Sequence, residues 1–187
     1  MYKRLFIAIK IDPAEELLRR IHFLKSNLNH EPLINWIPDD HFHLTLKFLG
    51  KVHQDRIPKI SKKIRGVLDG KEKFPMQLTE IGIFGSNYSP KVIWVGIDEK
   101  VKIRLLYQEI SKALSNIGFP DDGQNFVPHI TIARIKKIAD KNFFQKLINK
   151  AGSESIYKQN VNEIILYESI LKSTGAEYRI IEKFDLV

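Results

Sequence analysis

Two short histidine motifs are the residues of this chain whose types and spacing could carry out chemistry. They read His-Leu-Thr-Leu at 43–46 and His-Ile-Thr-Ile at 129–132, one in each half of the chain. Alternate side chains of a β-strand share one face, so each histidine points the same way as the threonine two residues later. The pattern predicts an imidazole and a hydroxyl side by side on an open sheet surface, twice.

Chance placement does not account for this repetition. With six histidines and four threonines in 187 residues, random placement gives only about 0.13 His-x-Thr pairs. One pair would be read as an ordinary strand surface. Two pairs in comparable surroundings favour a functional role.

The two histidines suit the opening of a cyclic phosphodiester. An unperturbed imidazole has a pKa of about 6.5, so near neutrality one ring can be neutral and the other protonated. One ring then serves as the base and the other as the acid. The hydroxyls of Thr45 and Thr131 can donate to nonbridging phosphate oxygens, where charge grows in the transition state. The sequence thus predicts His43 and His129 as the catalytic pair.

Arg134 is a further candidate for a phosphate contact, because a guanidinium presents a fixed cationic fork. Strict alternation, however, sends Arg134 to the face opposite His129 and Thr131. Its role therefore requires a bulge, a twist, or reach from the end of the strand.

Two aromatic residues are candidates for stacking on a base. Alternation puts Phe48 on the face opposite His43, so a core position fits it as well as a stacking role does. Trp94 lies in an apolar run that is typical of the core. Trp36 is the better candidate for a cleft wall.

Strands and amphipathic helices must position these residues. A strand is predicted at 4–11, followed by a helix that Asp12 caps and whose apolar stripe runs from 17 to 28. Further predicted elements are strands at 33–37 and 43–49, a helix at 56–68, a hairpin of strands 74–84 and 92–97 around a turn at 85–90, a helix at 102–117, a strand at 129–135, a helix capped by Asp140 that extends to 151, and closing strands at 161–167, 169–172 and 178–186.

Each half thus offers an amphipathic helix, a strand that begins with histidine, and another helix, which suggests an internal duplication. We expect an α+β fold of two pseudo-symmetric lobes, with mostly antiparallel sheet and outer helices around a central cleft. No linker rich in Pro, Gly or Ser divides the chain, so a single domain over 1–187 is expected.

Composition narrows the classes of function. The chain has no cysteine, which removes thiolate nucleophiles, disulfides and Cys-type zinc sites and fits a reducing cytoplasm. No apolar run approaches the length of a membrane span or signal peptide. The formal charge is +8, which would attract polyanions.

The basic clusters at 59–65 and 136–137 could steer RNA, or they could be solvated surfaces. His41 and His43 form a His-x-His pair near Asp39 and Asp40, but no further ligand group stands out. We expect no metal site and no cofactor.

Longer strings around the motifs resemble the RNA 2',3'-cyclic phosphodiesterase (2'-5' RNA ligase) family of the two-histidine phosphoesterase superfamily. The similar strings are 4–9, 43–50, 92–96, 128–134 and 169–173, with Gly175 and Tyr178. Isoleucine replaces a leucine common in the family at positions 130 and 132.

The resemblance implies a bilobal fold with both motifs facing a central cleft, and hydrolysis of the cyclic phosphate to a 2'-phosphate. It implies that His43 donates a proton to the departing 3' oxygen and that His129 accepts one from the attacking water. Thr45, Thr131 and Arg134 would contact the phosphate. With an RNA 5'-hydroxyl in place of water, the same step would be a ligation without ATP or metal.

The expected partner is RNA with 2',3'-cyclic phosphate ends, such as tRNA halves, bound by a monomer in the cytoplasm without membrane contact. Two alternatives stay open at this point. One is a phosphodiesterase for a small cyclic nucleotide such as ADP-ribose 1'',2''-cyclic phosphate, and the other is an RNA-binding protein without turnover.

Overall fold

The computed structural model describes residues 1–31, 33–98, 100–121, 125–152, 155–173 and 175–187. Within these ranges the strands are β1 (Tyr2–Lys10), β2 (Ile34–Trp36), β3 (His43–His53), β4 (Phe74–Ser86), β5 (Ser89–Ile97), β6 (Ile130–Ile135), β7 (Tyr157–Val161), β8 (Glu163–Lys172) and β9 (Gly175–Asp185). The α-helices are α1 (Glu15–Asn27), α2 (Ile57–Leu68), α3 (Lys100–Ser115) and α4 (Lys141–Ala151).

The strands pair antiparallel in one sheet with the order β7-β4-β5-β6-β3-β1-β8-β9, and β2 pairs with the far end of β6. Strands β3 and β6 meet at the sheet centre through the pair Leu44 and Ile130. Both residues lie inside the histidine motifs, so the two motifs are neighbours. The predicted α+β class with antiparallel strands is confirmed.

The sheet curls around a central cavity. Strands β5 and β9 are five positions apart, which would be about 24 Å in a flat sheet. Val92 of β5 and Tyr178 of β9 nevertheless line the same cavity. The curl brings the outer strands of the two halves towards one another.

The helices cover the outside of the sheet in two pairs, α1 with α4 and α2 with α3. Each pair takes one helix from each half of the chain. In α2, the residues Ile60, Ile64 and Leu68 are buried, while the lysines between them are exposed. Most buried residues of the helices and the sheet form one large apolar cluster that runs through both halves.

The two predicted helix caps have different outcomes. The carboxylate of Asp140 accepts a hydrogen bond from the Phe143 N–H at 2.9 Å, which confirms the cap of α4. The cap at Asp12 was wrong, because α1 begins at Glu15 and Ala14 occupies its N-cap without a side-chain hydrogen bond. Asp12 lies just beyond β1, where its N–H donates to Gln159.

The closing strands differ from the prediction in their boundaries. The predicted strand 161–167 spans the end of β7 and the start of β8. The break falls at Asn162, whose carbonyl accepts a hydrogen bond from the Leu186 N–H. Strand β7 pairs with β4, whereas β8 pairs with β1 and β9, so the break sends the chain from one half of the sheet to the other.

Candidate active site

Both histidine motifs face one cavity of about 590 Å³ at the centre of the curled sheet. His43 and Thr45 line the cavity from β3, and Thr131 lines it from β6. His129 also lines it and is the residue directly before the first residue of β6. Side chains that are far apart in sequence are therefore collected around one space. Its volume is in the range of small-molecule sites.

A β-bulge follows the threonine in the first motif strand. Ala8 pairs with Thr45, and the preceding residue Ile7 pairs with Lys47, so Leu46 is an extra residue in β3. Both Leu46 and Lys47 are consequently buried, and the alternation of faces is reversed beyond them. The bulge places Phe48 in the cavity wall, where its side chain is 69% exposed.

The second motif strand has a bulge at the matching position. Ala133 pairs with Ile93, and Thr131 with Trp94, which leaves Ile132 as the extra residue. The Ile132 carbonyl accepts the N–H of Ile37 at 2.9 Å. This bulge turns Arg134 towards the cavity of the histidines. The condition that alternation had set for Arg134 is met.

A backbone carbonyl orients each histidine in the same way. His43 Nδ1 lies 2.7 Å from the carbonyl oxygen of His41, and His129 Nδ1 lies 2.7 Å from that of Val127. Because a carbonyl oxygen can only accept, Nδ1 carries the hydrogen in both rings. The proton that titrates is therefore on Nε2 in each case.

Aromatic rings enclose His43. The rings of Phe6 and Tyr178 each have their centroid 5.1 Å from that of His43. Burial lowers the pKa of His43 below its usual value, and the hydrogen bond to the His41 carbonyl opposes that shift. Positive charge on His41, Arg134 or His129 lowers this pKa further, so a protonated His129 disfavours protonation of His43.

His129 has a different neighbourhood. The centroids of the His129 and Phe84 rings are 4.7 Å apart and the rings are nearly perpendicular, and Phe84 in turn packs on Trp94. Burial is the main cause that lowers the pKa of His129, and the Arg134 guanidinium lowers it further. Both effects favour the neutral imidazole.

Several contacts fix the segment before β6 that carries the carbonyl partner of His129. Lys47 is only 7% exposed, and its ammonium donates to the Pro120 carbonyl at 3.1 Å. Tyr107 stacks on Phe126 at 4.1 Å and donates to Asp121 at 2.6 Å. The bulge that buries Lys47 in one half thus supports the histidine of the other half.

Comparison with known proteins agrees with this geometry. A model of the LigT-like phosphoesterase family matches the chain twice, over residues 11–94 and 95–178. The chain belongs to this family. Each match contains one histidine motif, as expected of an internal duplication.

Relatives of this LigT-like phosphoesterase align along most of their length. An RNA 2',3'-cyclic phosphodiesterase of Thermotoga maritima is 32% identical over 179 residues, which cover 95% of this chain and 92% of the relative. One of Aquifex aeolicus is 28% identical over 165 residues, 87% of either chain. E. coli LigT in complex with 3'-AMP has the same fold, with a TM-score of 0.78 at 22% identity, over 100% of this chain and 99% of that one. The family resemblance read from the sequence is confirmed.

Sequence reasoning assigned no role to four residues in or beside the LigT-like cleft. Arg4 and Phe6 enter it from β1 and Tyr178 enters it from β9, and Phe84 stands behind His129. They are brought there by pairing between distant strands, which no short motif records. Two signals could have pointed to three of them: the string 4–9 and Tyr178 are among the segments similar to the family, and alternation along β1 puts residues 4 and 6 on one face.

Trp36 lies outside the central cavity of the LigT-like fold. It is half-buried on β2 and lines a neighbouring cavity, with the Lys25 ammonium 5.9 Å from the ring centroid. Trp94 is partly buried beside Phe84.

The described residues show neither a metal-ligand cluster nor a membrane-spanning helix. No group of three or more His, Asp or Glu side chains within those ranges could hold a metal ion. In the same part of the chain, no helix is long and apolar enough to cross a membrane.

Proposed function

We propose that this chain hydrolyses the 2',3'-cyclic phosphate at the 3' end of RNA to a 2'-phosphomonoester, with His129 as the base and His43 as the acid. One observation carries the proposal: two histidines, each tethered through Nδ1, share a cavity with two threonines and an arginine. The name RNA 2',3'-cyclic phosphodiesterase, borne by the curated relatives, supports the choice of substrate.

The reaction is a single displacement at phosphorus. Neutral His129 takes a proton from water on Nε2 while the water oxygen bonds to phosphorus. The bond from phosphorus to O3' breaks, and protonated His43 gives its Nε2 proton to O3'. The products are a 2'-phosphate and a 3'-hydroxyl, and proton exchange with solvent resets the two imidazoles.

Thr45, Thr131 and Arg134 would hold the nonbridging phosphate oxygens during this step. The strands place all three side chains in the wall of the same cavity, so their donors are close to the phosphate as charge grows. The guanidinium can bind two oxygens at once, which also sets the orientation of the phosphate.

The environments of the histidines fit the two roles unequally. The lowered pKa of His129 keeps the base neutral. The pKa of His43 is lowered too, which by itself disfavours the acid form. A bound phosphate anion next to His43 stabilises its protonated form, so we infer that the substrate itself charges the acid.

We infer that the same step with an RNA 5'-hydroxyl in place of water joins ends through a 2'-5' linkage without ATP or metal. We further infer one domain over 1–187 that works as a cytoplasmic monomer on ends such as those of tRNA halves. The apolar cluster that runs through both halves supports the single domain.

The test is incubation of an oligoribonucleotide ending in a 2',3'-cyclic phosphate with the protein in EDTA. We expect a 2'-phosphate from the unmodified protein and from His22→Ala, a matched control that replaces an exposed histidine on α1. His43→Ala and His129→Ala should retain the fold by circular dichroism yet form almost no product.

Three results would contradict the proposal: a 3'-phosphate product, turnover only without EDTA, or full activity of a histidine variant. Strong competition by ADP-ribose 1'',2''-cyclic phosphate would shift the substrate class to small cyclic nucleotides. Tight binding of RNA that is never opened would instead indicate a binding protein.

A further inference from the structure

A second cavity, of about 800 Å³, adjoins the catalytic cleft. The two spaces share Arg134 and Tyr178 as common walls. The second space continues along β2, past Trp36 and the exposed Lys136, to the ends of β8 and β9 at Lys172. We call this second space the side groove.

The side groove is cationic. Arg134, Lys136 and Lys172 line it, and in the part of the chain that the structure describes, no carboxylate forms an ion pair with Arg134 or Lys136. Glu177 also lines the groove, but Lys172 and Arg179 both bind its carboxylate and lower its pKa. The charge that remains is positive, which suits phosphate groups.

The side groove also offers an aromatic surface and enough room. Trp36 is half-buried in its wall, and an indole face can stack on any base. A volume of about 800 Å³ is typical of a nucleotide-sized site. Another cavity that borders the cleft, beside Lys47 and Phe126, has only about 170 Å³.

We propose that the side groove binds the nucleotides immediately upstream of the cyclic end. This inference rests on the proposed function. With the cyclic phosphate between His43 and His129, the RNA can leave the cleft only through the 5' side of the terminal ribose. The side groove meets the cleft at Arg134, so the upstream backbone passes Lys136 while a base stacks on Trp36. The protein therefore prefers an oligonucleotide to a single cyclic nucleotide.

The test compares two substrates across two variants. The substrates are adenosine 2',3'-cyclic phosphate and an eight-nucleotide RNA that ends in the same cyclic nucleotide. The variants are Lys136→Glu in the groove and Lys137→Glu beside it, an exposed lysine that does not line the groove. Both variants change the net charge equally, so they separate a local contact from a general attraction.

For Lys136→Glu we expect kcat/KM on the oligonucleotide to fall roughly tenfold, the scale of one charged phosphate contact. The slope of log(kcat/KM) for the oligonucleotide against log salt concentration should become shallower by about one, the contribution of one phosphate contact. Activity on the single nucleotide should stay unchanged in both variants, and Lys137→Glu should retain most of its activity on the oligonucleotide. Trp36→Leu should raise KM for the oligonucleotide alone.

Equal losses in Lys136→Glu and Lys137→Glu would overturn the proposal, because only overall charge would then matter. Equal kcat/KM on both substrates in the unmodified protein would overturn it as well. If the unmodified protein opens neither substrate, the proposed function fails separately. The groove is then judged by fluorescence anisotropy with an RNA ending in a 2'-phosphate, where Lys136→Glu must bind more weakly than Lys137→Glu.

Discussion

The two halves of the molecule share one local backbone arrangement around the histidine motif and differ in the side chains that this arrangement positions. In each half a histidine donates through Nδ1 to the carbonyl two residues before it, and a bulge follows the threonine. The bulge brings the third residue after that threonine into the cleft. That residue is Phe48 in one half and Arg134 in the other.

This difference accounts for how a duplicated unit supports an asymmetric reaction. His43 is enclosed by the rings of Phe6 and Tyr178, whereas His129 packs against Phe84, and the charge of Arg134 lowers the pKa of both. A symmetric site would give acid and base the same proton affinity. Diversified neighbours instead let two similar imidazoles take different roles.

The largest effect is expected from replacing a histidine. His43→Gln and His129→Gln should each lower kcat by about 10²–10⁴. A cyclic substrate with sulfur in place of O3' breaks the equivalence, because a thiolate leaves without a proton. On that substrate His43→Gln should recover activity and His129→Gln should not. Recovery of His129→Gln alone would mean that the acid and base are reversed.

Arg134 should come next in size. Arg134→Met should lower kcat by about 10²–10³, as expected for loss of one donor to the transition-state charge. Arg134→Lys should recover only part of this loss, because an ammonium lacks the planar fork. Steady-state kinetics on a single cyclic nucleotide measure this effect without a contribution from upstream RNA. A change confined to KM would contradict the assigned role.

Phe48, the counterpart of Arg134, should show a smaller and different effect. Phe48→Ala should raise KM roughly tenfold with little change in kcat, because stacking of a base on a ring contributes about 1–3 kcal/mol. Phe48→Tyr keeps the ring and is the matched control. A fall in kcat similar to that of Arg134→Met would show that the two halves do not divide the labour in this way.

The smallest expected effect is on the pH profile. Since burial lowers the pKa of both histidines, kcat/KM should be bell-shaped with a maximum below about pH 6.5. The alkaline limb of the kcat profile should lie at higher pH than that of the kcat/KM profile, because bound phosphate favours protonated His43. Arg134→Met removes a positive charge that lowers both pKa values, so both limbs should move upward by less than about one pH unit. Limbs that stay in place would remove Arg134 from the electrostatics of the pair.

Local pattern was enough to predict the helices, most of the strands and the residues of the two motifs. The helices α2 and α4 follow directly from apolar periodicity, and the cap at Asp140 from local chemistry. The repeated His-x-Thr is itself local, so the sequence alone is enough to predict His43 and His129 as candidate catalytic residues. These features depend on neighbours within a few residues.

The bulges and the aromatic walls could not be read from local pattern. Leu46 and Ile132 become extra residues only through their pairing with β1 and β5. Alternation alone consequently gave the wrong face for Phe48 and a conditional one for Arg134. Tyr178 reaches His43 through the pairing of β9 with β8 and of β8 with β1, a chain of contacts that a single sequence does not reveal.

The motif strands β3 and β6 are paired in the sheet through Leu44 and Ile130. The two motif strands meet there through one residue pair, while the strand pairs β1 with β8 and β5 with β6 and the helix pairs α1 with α4 and α2 with α3 join the two halves of the chain elsewhere. A small rotation of one motif strand against the other at this pair would change the distance between the two imidazoles and leave each motif intact. The distance between the two imidazoles therefore depends on how the surrounding strands and helices pack, and not on any contact within a motif.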